Sequence, residues 1–176
     1  MTAPHDRQKP TRARRREQVI LFSIAHQTFA IAAEAVQEIR STDSLAGAAT
    51  EFERPEISKV RHFIERGHRT YYIVSGCSHF HLSTTRPTLA LILRQFRVAV
   101  LVDAIERMTE IAAVHPLPLA FAGEERAWYR GLAYLDDCII PVINPGGFLT
   151  QQQFEQLDRL VPRVETPRHT EGVISA

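Results

Sequence analysis

The sequence holds few of the features that mark an enzyme, a secreted protein or a membrane protein. Its 176 residues include two cysteines, Cys77 and Cys138, far apart in the chain. Two isolated thiols argue against a disulfide framework and point to a reducing compartment, with the cytoplasm the default. No run approaches ~18 consecutive apolar residues, so no transmembrane helix and no direct membrane insertion are expected. The N-terminus, MTAPHDRQKPTRARRREQ, has no apolar core and does not read as a secretory signal. A net charge of +1 argues against a nucleic-acid binder whose whole surface is basic. Gly146-Gly147 lacks the downstream Lys and Ser or Thr of a phosphate-cradling loop, and no serine sits in a G-x-S-x-G elbow. Glu124-Glu125 and Asp136-Asp137 are adjacent pairs in turns. Neighbours on a chain point apart, so neither pair is a ready acid/base dyad. Neither catalytic residues nor a cofactor are expected.

What is present is a β pattern. Hydrophobic content of 44% and charged content of 23% are those of an ordinary globular protein, long enough for one domain or two very small ones sharing a core. The chain is organised around Phe96–Ile111, FRVAVLVDAIERMTEI. Val98 to Val102 is unbroken apolar, so both faces of that strand must be covered. After Asp103 the apolar residues thin to Ile105, Met108 and Ile111. The stretch reads as one central strand that leaves one small core and enters the next. TLALILRQ (88–95) and WYRGLAYLDDCIIPVINP (128–145) read as strands that pair with it.

The remaining elements follow in order. Residues 1–17 carry Arg7, Lys9, Arg12, Arg14, Arg15 and Arg16 and read as a disordered basic arm. QVILFSIAHQTFAIA predicts a hairpin of Val19–Ile24 and Thr28–Ile31, turning at His26-Gln27. Ala32 to Val36 fits one helical turn, after which Val36 and Ile39 are apolar and Glu38 and Arg40 would face out. Residues 41–59 predict a long loop with a short helix. VRHFIERGHRTYYIVSG (60–76) is a second β pair turning at Gly67. Trp128–Leu135 and Cys138–Ile143 form a third, turning at Asp136-Asp137. Phe148 to Leu160 has helical spacing, and residues 161–176 read as a flexible tail. Arg66-Gly67 and Arg130-Gly131 each precede an apolar strand, a faint echo of two similar β units.

One spacing calls for a metal test. On an extended strand, Cys77, His79 and His81 would share a face and present three ligands. The stretch reads instead as a connector, with Cys77 buried and the histidines facing solvent, and no metal site is assigned. A β-rich interaction module, binding through a sheet edge or a groove between its halves, is the reading these residues support.

The sequence also resembles a known family. QVILFSIAHQTFAIAAEAVQEIR (18–40), IERG followed by YYIV (64–74), RVAVLVDAIERM (97–108) and YRGLAYLDDCIIPVIN (129–144) resemble, in that order, the segments of CheW-like domains, the adaptors of bacterial chemotaxis arrays. The resemblance implies a mainly β fold: two small SH3-like five-stranded barrels sharing a core, with short helices and a C-terminal helix, over residues 18–160. It implies no enzymatic activity. It implies a role coupling the cytoplasmic tip of a chemoreceptor to the regulatory domain of a CheA-type histidine kinase. Carried onto this chain, partner binding falls on Val36, Glu38 and Arg66, with Ala99, Ile105 and Met108 lining the same groove. The sequence departs from the family at Arg61 and Ala99, where glycine is usual, and at Tyr72 and Ser75, where proline and aspartate are usual. The usual asparagine-threonine-proline signature between Arg40 and Val60 is missing. These departures leave an alternative, a diverged CheW-like domain that binds a kinase or another partner without receptor coupling.

Overall fold

A computed structural model describes residues 16–162. The expected arm (1–17) and tail (161–176) therefore lie outside the described residues, apart from two residues at each junction. Glu17 already belongs to the first strand.

Two sheets are built from eleven strands among the described residues. The five-stranded sheet contains β1 (Glu17–Ile24), β2 (Gln27–Ala32), β9 (Ala104–Ile111), β10 (Tyr129–Leu135) and β11 (Cys138–Ile143), in the spatial order β10-β11-β2-β1-β9. The six-stranded sheet contains β3 (Val36–Ser41), β4 (Ala49–Glu51), β5 (Val60–Arg66), β6 (Arg69–Ser75), β7 (Leu89–Leu93) and β8 (Val98–Val102), in the order β3-β7-β8-β6-β5-β4. The sixth strand, β4, lies in the stretch expected to be loop. Its residues, Ala49, Thr50 and Glu51, carry no apolar alternation, and only its pairing with Phe63 and its neighbours makes it a strand.

The continuous apolar runs have a physical reason. In β8, Val98, Val100 and Val102 join a large core shared by both sheets, while Ala99 points into a small core belonging to the six-stranded sheet alone. β6 divides in the same way, with Tyr72 and Val74 in the shared core and Tyr71 and Ile73 in the small one. In β1, Ile20 and Phe22 face the shared core, and Val19 and Leu21 face the small core of the five-stranded sheet. Strands covered on both faces lose the polar alternation of a half-exposed sheet.

The organising stretch makes the expected passage between cores, in two strands. β8 pairs with β7 and β6, Asp103 breaks the run, and β9 pairs with β1 in the other sheet. Asp103 pins that crossing: its carboxylate accepts from the Ala25 amide at 2.7 Å and from the Thr85 hydroxyl at 2.6 Å. The expected pairing with the 128–145 stretch is corrected. β10 and β11 pair with each other, and β11 meets β2 through Val142 and Ala30. The first turn falls at Ala25-His26, both at positive φ, one residue earlier than expected.

Short helical turns α1 (Thr42–Ala46), α2 (Gly76–His79) and α3 (Glu125–Trp128) join strands, and the C-terminal helix is shorter than its spacing suggested. Phe148 and Leu149 are buried ahead of it, and α4 (Gln151–Leu160) is capped by Thr150. Thr150 and Gln153 form a reciprocal capping box that satisfies two otherwise orphaned amides. The echo between Arg66-Gly67 and Arg130-Gly131 does not survive: Gly67 is in a turn at φ 61°, whereas Gly131 is inside β10. A side chain on Gly131 would collide with the His115 carbonyl. No described helix is long and apolar enough to cross a membrane.

Candidate functional site

Glu38 and Arg66, distant in sequence, meet. Glu38 lies on β3, an end strand of its sheet, and Arg66 closes β5 at the Gly67 turn. Glu38 Oε2 is 2.8 Å from Arg66 Nη1, and Glu38 Oε1 accepts from Arg40 Nε at 2.6 Å. β3 and β5 are not neighbours in the sheet, so this contact joins strands that no backbone hydrogen bond connects. The sheet must curl to bring them together. All three side chains are about one-third exposed. The hydrogen bond from Arg40, then the Arg66 guanidinium beside it, holds the Glu38 carboxyl below the usual carboxylate range.

A β-bulge sets what β3 presents. Val36 pairs with Leu93 and Glu38 with Ile92, leaving Gln37 extra. Val36 is buried in the shared core. Ile39 pairs with Leu91, a shared-core residue, and so faces the same side, yet it is 41% exposed at the rim. Glu38 and Arg40, expected to face out, lie instead on the small-core side and are half-buried.

Ile105 and Met108 sit on β9, an end strand of the other sheet. They pair with Phe22 and Ile20, both shared-core residues, so they too face the other sheet. A register shift at Leu21/Phe22 puts residues three apart on one face. Ile105 packs on the shared core, while Met108 is 61% exposed. Met108 on β9 and Ile39 on β3, which sequence reasoning left out of the site, are exposed apolar side chains on end strands of the two sheets, on the faces that carry the shared core. Only the bulge and the edge position of β3 reveal Ile39. Ala99 is fully buried in the small core, and neither it nor Val36 offers surface to a partner. A cavity of about 480 Å3 lies between the five-stranded sheet and the connectors next to it, lined by Ala32 and Arg130 of that sheet and by Glu34, Arg94, Phe96 and Asn144 from the turns. None of the six site residues lines it.

The Cys77, His79, His81 spacing falls on a helical turn, α2 (Gly76–His79), rather than a strand, so the three side chains do not share a face. His79 is buried, against expectation, among Phe80, Trp128 and Phe148, with its Nδ1 3.2 Å from Lys59 Nζ. Burial, reinforced by Lys59, pushes its pKa down to about 3. Among the described residues no three His, Cys, Asp or Glu side chains converge to hold a metal ion.

The fold and site define a mainly β chain of two small curled sheets, joined through one core and edged with an apolar rim beside an ion-pair cluster. The family model for the CheW-like domain matches residues 18–153, and the chain belongs to that family. Among solved structures, the scaffolding protein TtCheW of Thermoanaerobacter tengcongensis is similar in fold, with a TM-score of 0.61 at 16% identity. The likeness covers 74% of this chain and 90% of that one. No curated protein matches the sequence.

Proposed function

We propose that this chain is a non-catalytic adaptor of a bacterial chemosensory pathway, coupling the cytoplasmic tip of a chemoreceptor to the regulatory domain of a CheA-type histidine kinase in the cytoplasm. The observation that carries the reading is the rim of the seam. Ile39, Ile105 and Met108 come from the end strands of two sheets and lie on the faces turned toward each other. Glu38 and Arg66 stand beside Ile39 as charged anchors. An amphipathic helix laid in a groove needs this combination of apolar contact and a few oriented charges. Val36 and Ala99 act from beneath, fixing the shape of the strands that carry the surface.

One observation favours the second reading, an adaptor for a kinase or another partner without receptor coupling. The Glu38 carboxylate is already engaged by Arg40 and Arg66 within the chain. Pull-down of the purified chain against the receptor tip and the kinase regulatory domain from the same genome separates the two readings. Under the first, Glu38→Ala and Arg66→Ala abolish receptor capture and leave kinase capture intact. Kinase capture alone, unchanged by either substitution, supports the second. Capture of neither partner overturns the first reading and leaves the second without its kinase.

A further inference from the structure

The helix α4 is held in a way its size does not explain. Of its ten residues only Leu157 is fully buried, with Phe154 and Leu160 packing partly on the core. Two cavities, about 560 and 450 Å3, flank its last turn. One is lined by Thr70, Arg97, Asp158 and Pro162, the other by Thr50, Phe52, Phe63 and Leu160. Beside the buried Leu157, what ties this undercut turn to the sheet is polar. Arg97, just ahead of β8, donates two hydrogen bonds to Asp158, at 2.7 and 2.8 Å. The hydroxyl of Tyr72, fully buried on β6, donates to the same carboxylate. The Arg97 guanidinium lies over the rings of Tyr72 and Phe154, 5.5 and 5.2 Å from their centroids. Tyr72 stands where the family usually has proline, so a ring without a hydroxyl is replaced by the donor that completes the clamp.

We infer that α4 is a latched lid over an apolar groove, and that the groove accepts a partner's amphipathic helix in its place. The groove is the buried strip Phe63, Phe52 and Tyr72 beneath α4, with Phe52 in the middle, tilted against Phe63 at 4.9 Å and stacked on Tyr72 at 6.3 Å between centroids. The chemistry of the occupant is set by the helix now seated there: an aromatic, a leucine three residues on, and a carboxylate directly after it, as in Phe154, Leu157 and Asp158. The latch is open to competition because Asp158 and Arg97 are 44% and 35% exposed. A carboxylate on an incoming helix can replace Asp158 on Arg97 without leaving the guanidinium unpaired. This groove is separate from the rim that carries Glu38 and Met108.

Hydrogen exchange on the full chain, with neither kinase nor receptor present, tests the latch independently of the proposed function. Asp158→Asn and Arg97→Lys should speed exchange of amides 151–160 by about tenfold, the loss of a charge-assisted hydrogen bond. Amides of β6, β7 and β8 should stay as protected as in the parent. Unchanged α4 exchange, or acceleration of helix and sheets together, overturns the inference. A fluorescent peptide with the sequence of residues 148–162 then probes the groove. Binding to Asp158→Asn and not to the parent supports it; equal binding to both, or to neither, overturns it.

Discussion

At His79 the fold takes a titratable side chain and keeps it neutral. The ring is 2% exposed and packed among aromatics, with the Lys59 ammonium beside it. The unfolded chain binds a proton there near pH 6.5, and the folded chain only near 3. Between these values the unfolded state holds more protons, so stability falls as pH is lowered from about 6.5 towards 3. Thermal midpoints measured across that window should decline in the parent and decline less in His79→Phe, which cannot titrate. Equal slopes in the two would show that other groups dominate. Sequence alone did not reach this residue. A histidine two places after a cysteine in a polar connector gives no sign of burial, because besides its neighbour Phe80 the aromatics that enclose it, Trp128 and Phe148, come from far along the chain. Glu38 and Arg66 were legible individually, through the resemblance. Their meeting was not, since it depends on how far the six-stranded sheet curls.

The elements divide by how local their cause is. Hairpins β1–β2, β5–β6 and β10–β11 were legible because each is an apolar run broken by a turn of two residues. The Asp136-Asp137 turn has both residues at positive φ, the conformation that tight hairpins demand. β4 and the bulge in β3 were not legible. The first exists only through its partner strand, and the second is one residue of extra length with no signature of its own. α4 was legible as a helix but not in its start, because Phe148 and Leu149 continue its apolar spacing without being helical. Its N-terminus rests on the capping box. Thr150→Ala should lower stability by roughly 1 kcal/mol, read from urea unfolding with an unchanged m-value. A loss near zero would mean that the buried Phe148 and Leu149 hold that end unaided.

Across the whole molecule, the two sheets do not have independent interiors. Each encloses a few residues of its own, while the larger set, from Ile20 and Phe22 in one sheet to Tyr72 and Val100 in the other, is common property. Asp103 then binds the crossing strand to the first hairpin and to the 82–88 connector. The sheets should therefore unfold together. Phe22→Ala, which empties a site with no exposed surface, should cost roughly 3–5 kcal/mol and leave one transition, seen alike by circular dichroism and by Trp128 fluorescence. Two separated transitions would show that each sheet stands alone. The proposed partner surface uses the apolar side chains that the end strands leave in water, Ile39 and Met108.

The most direct measurement is amide chemical-shift mapping of the chain on titration with a soluble receptor-tip fragment. Saturable shifts are expected on β3 around Glu38 and Ile39, on the Arg66-Gly67 turn, and on β9 from Ile105 to Met108, lost in Arg66→Ala. Shifts confined to other surfaces, or none at concentrations that saturate a chain known to couple, would contradict the proposed function.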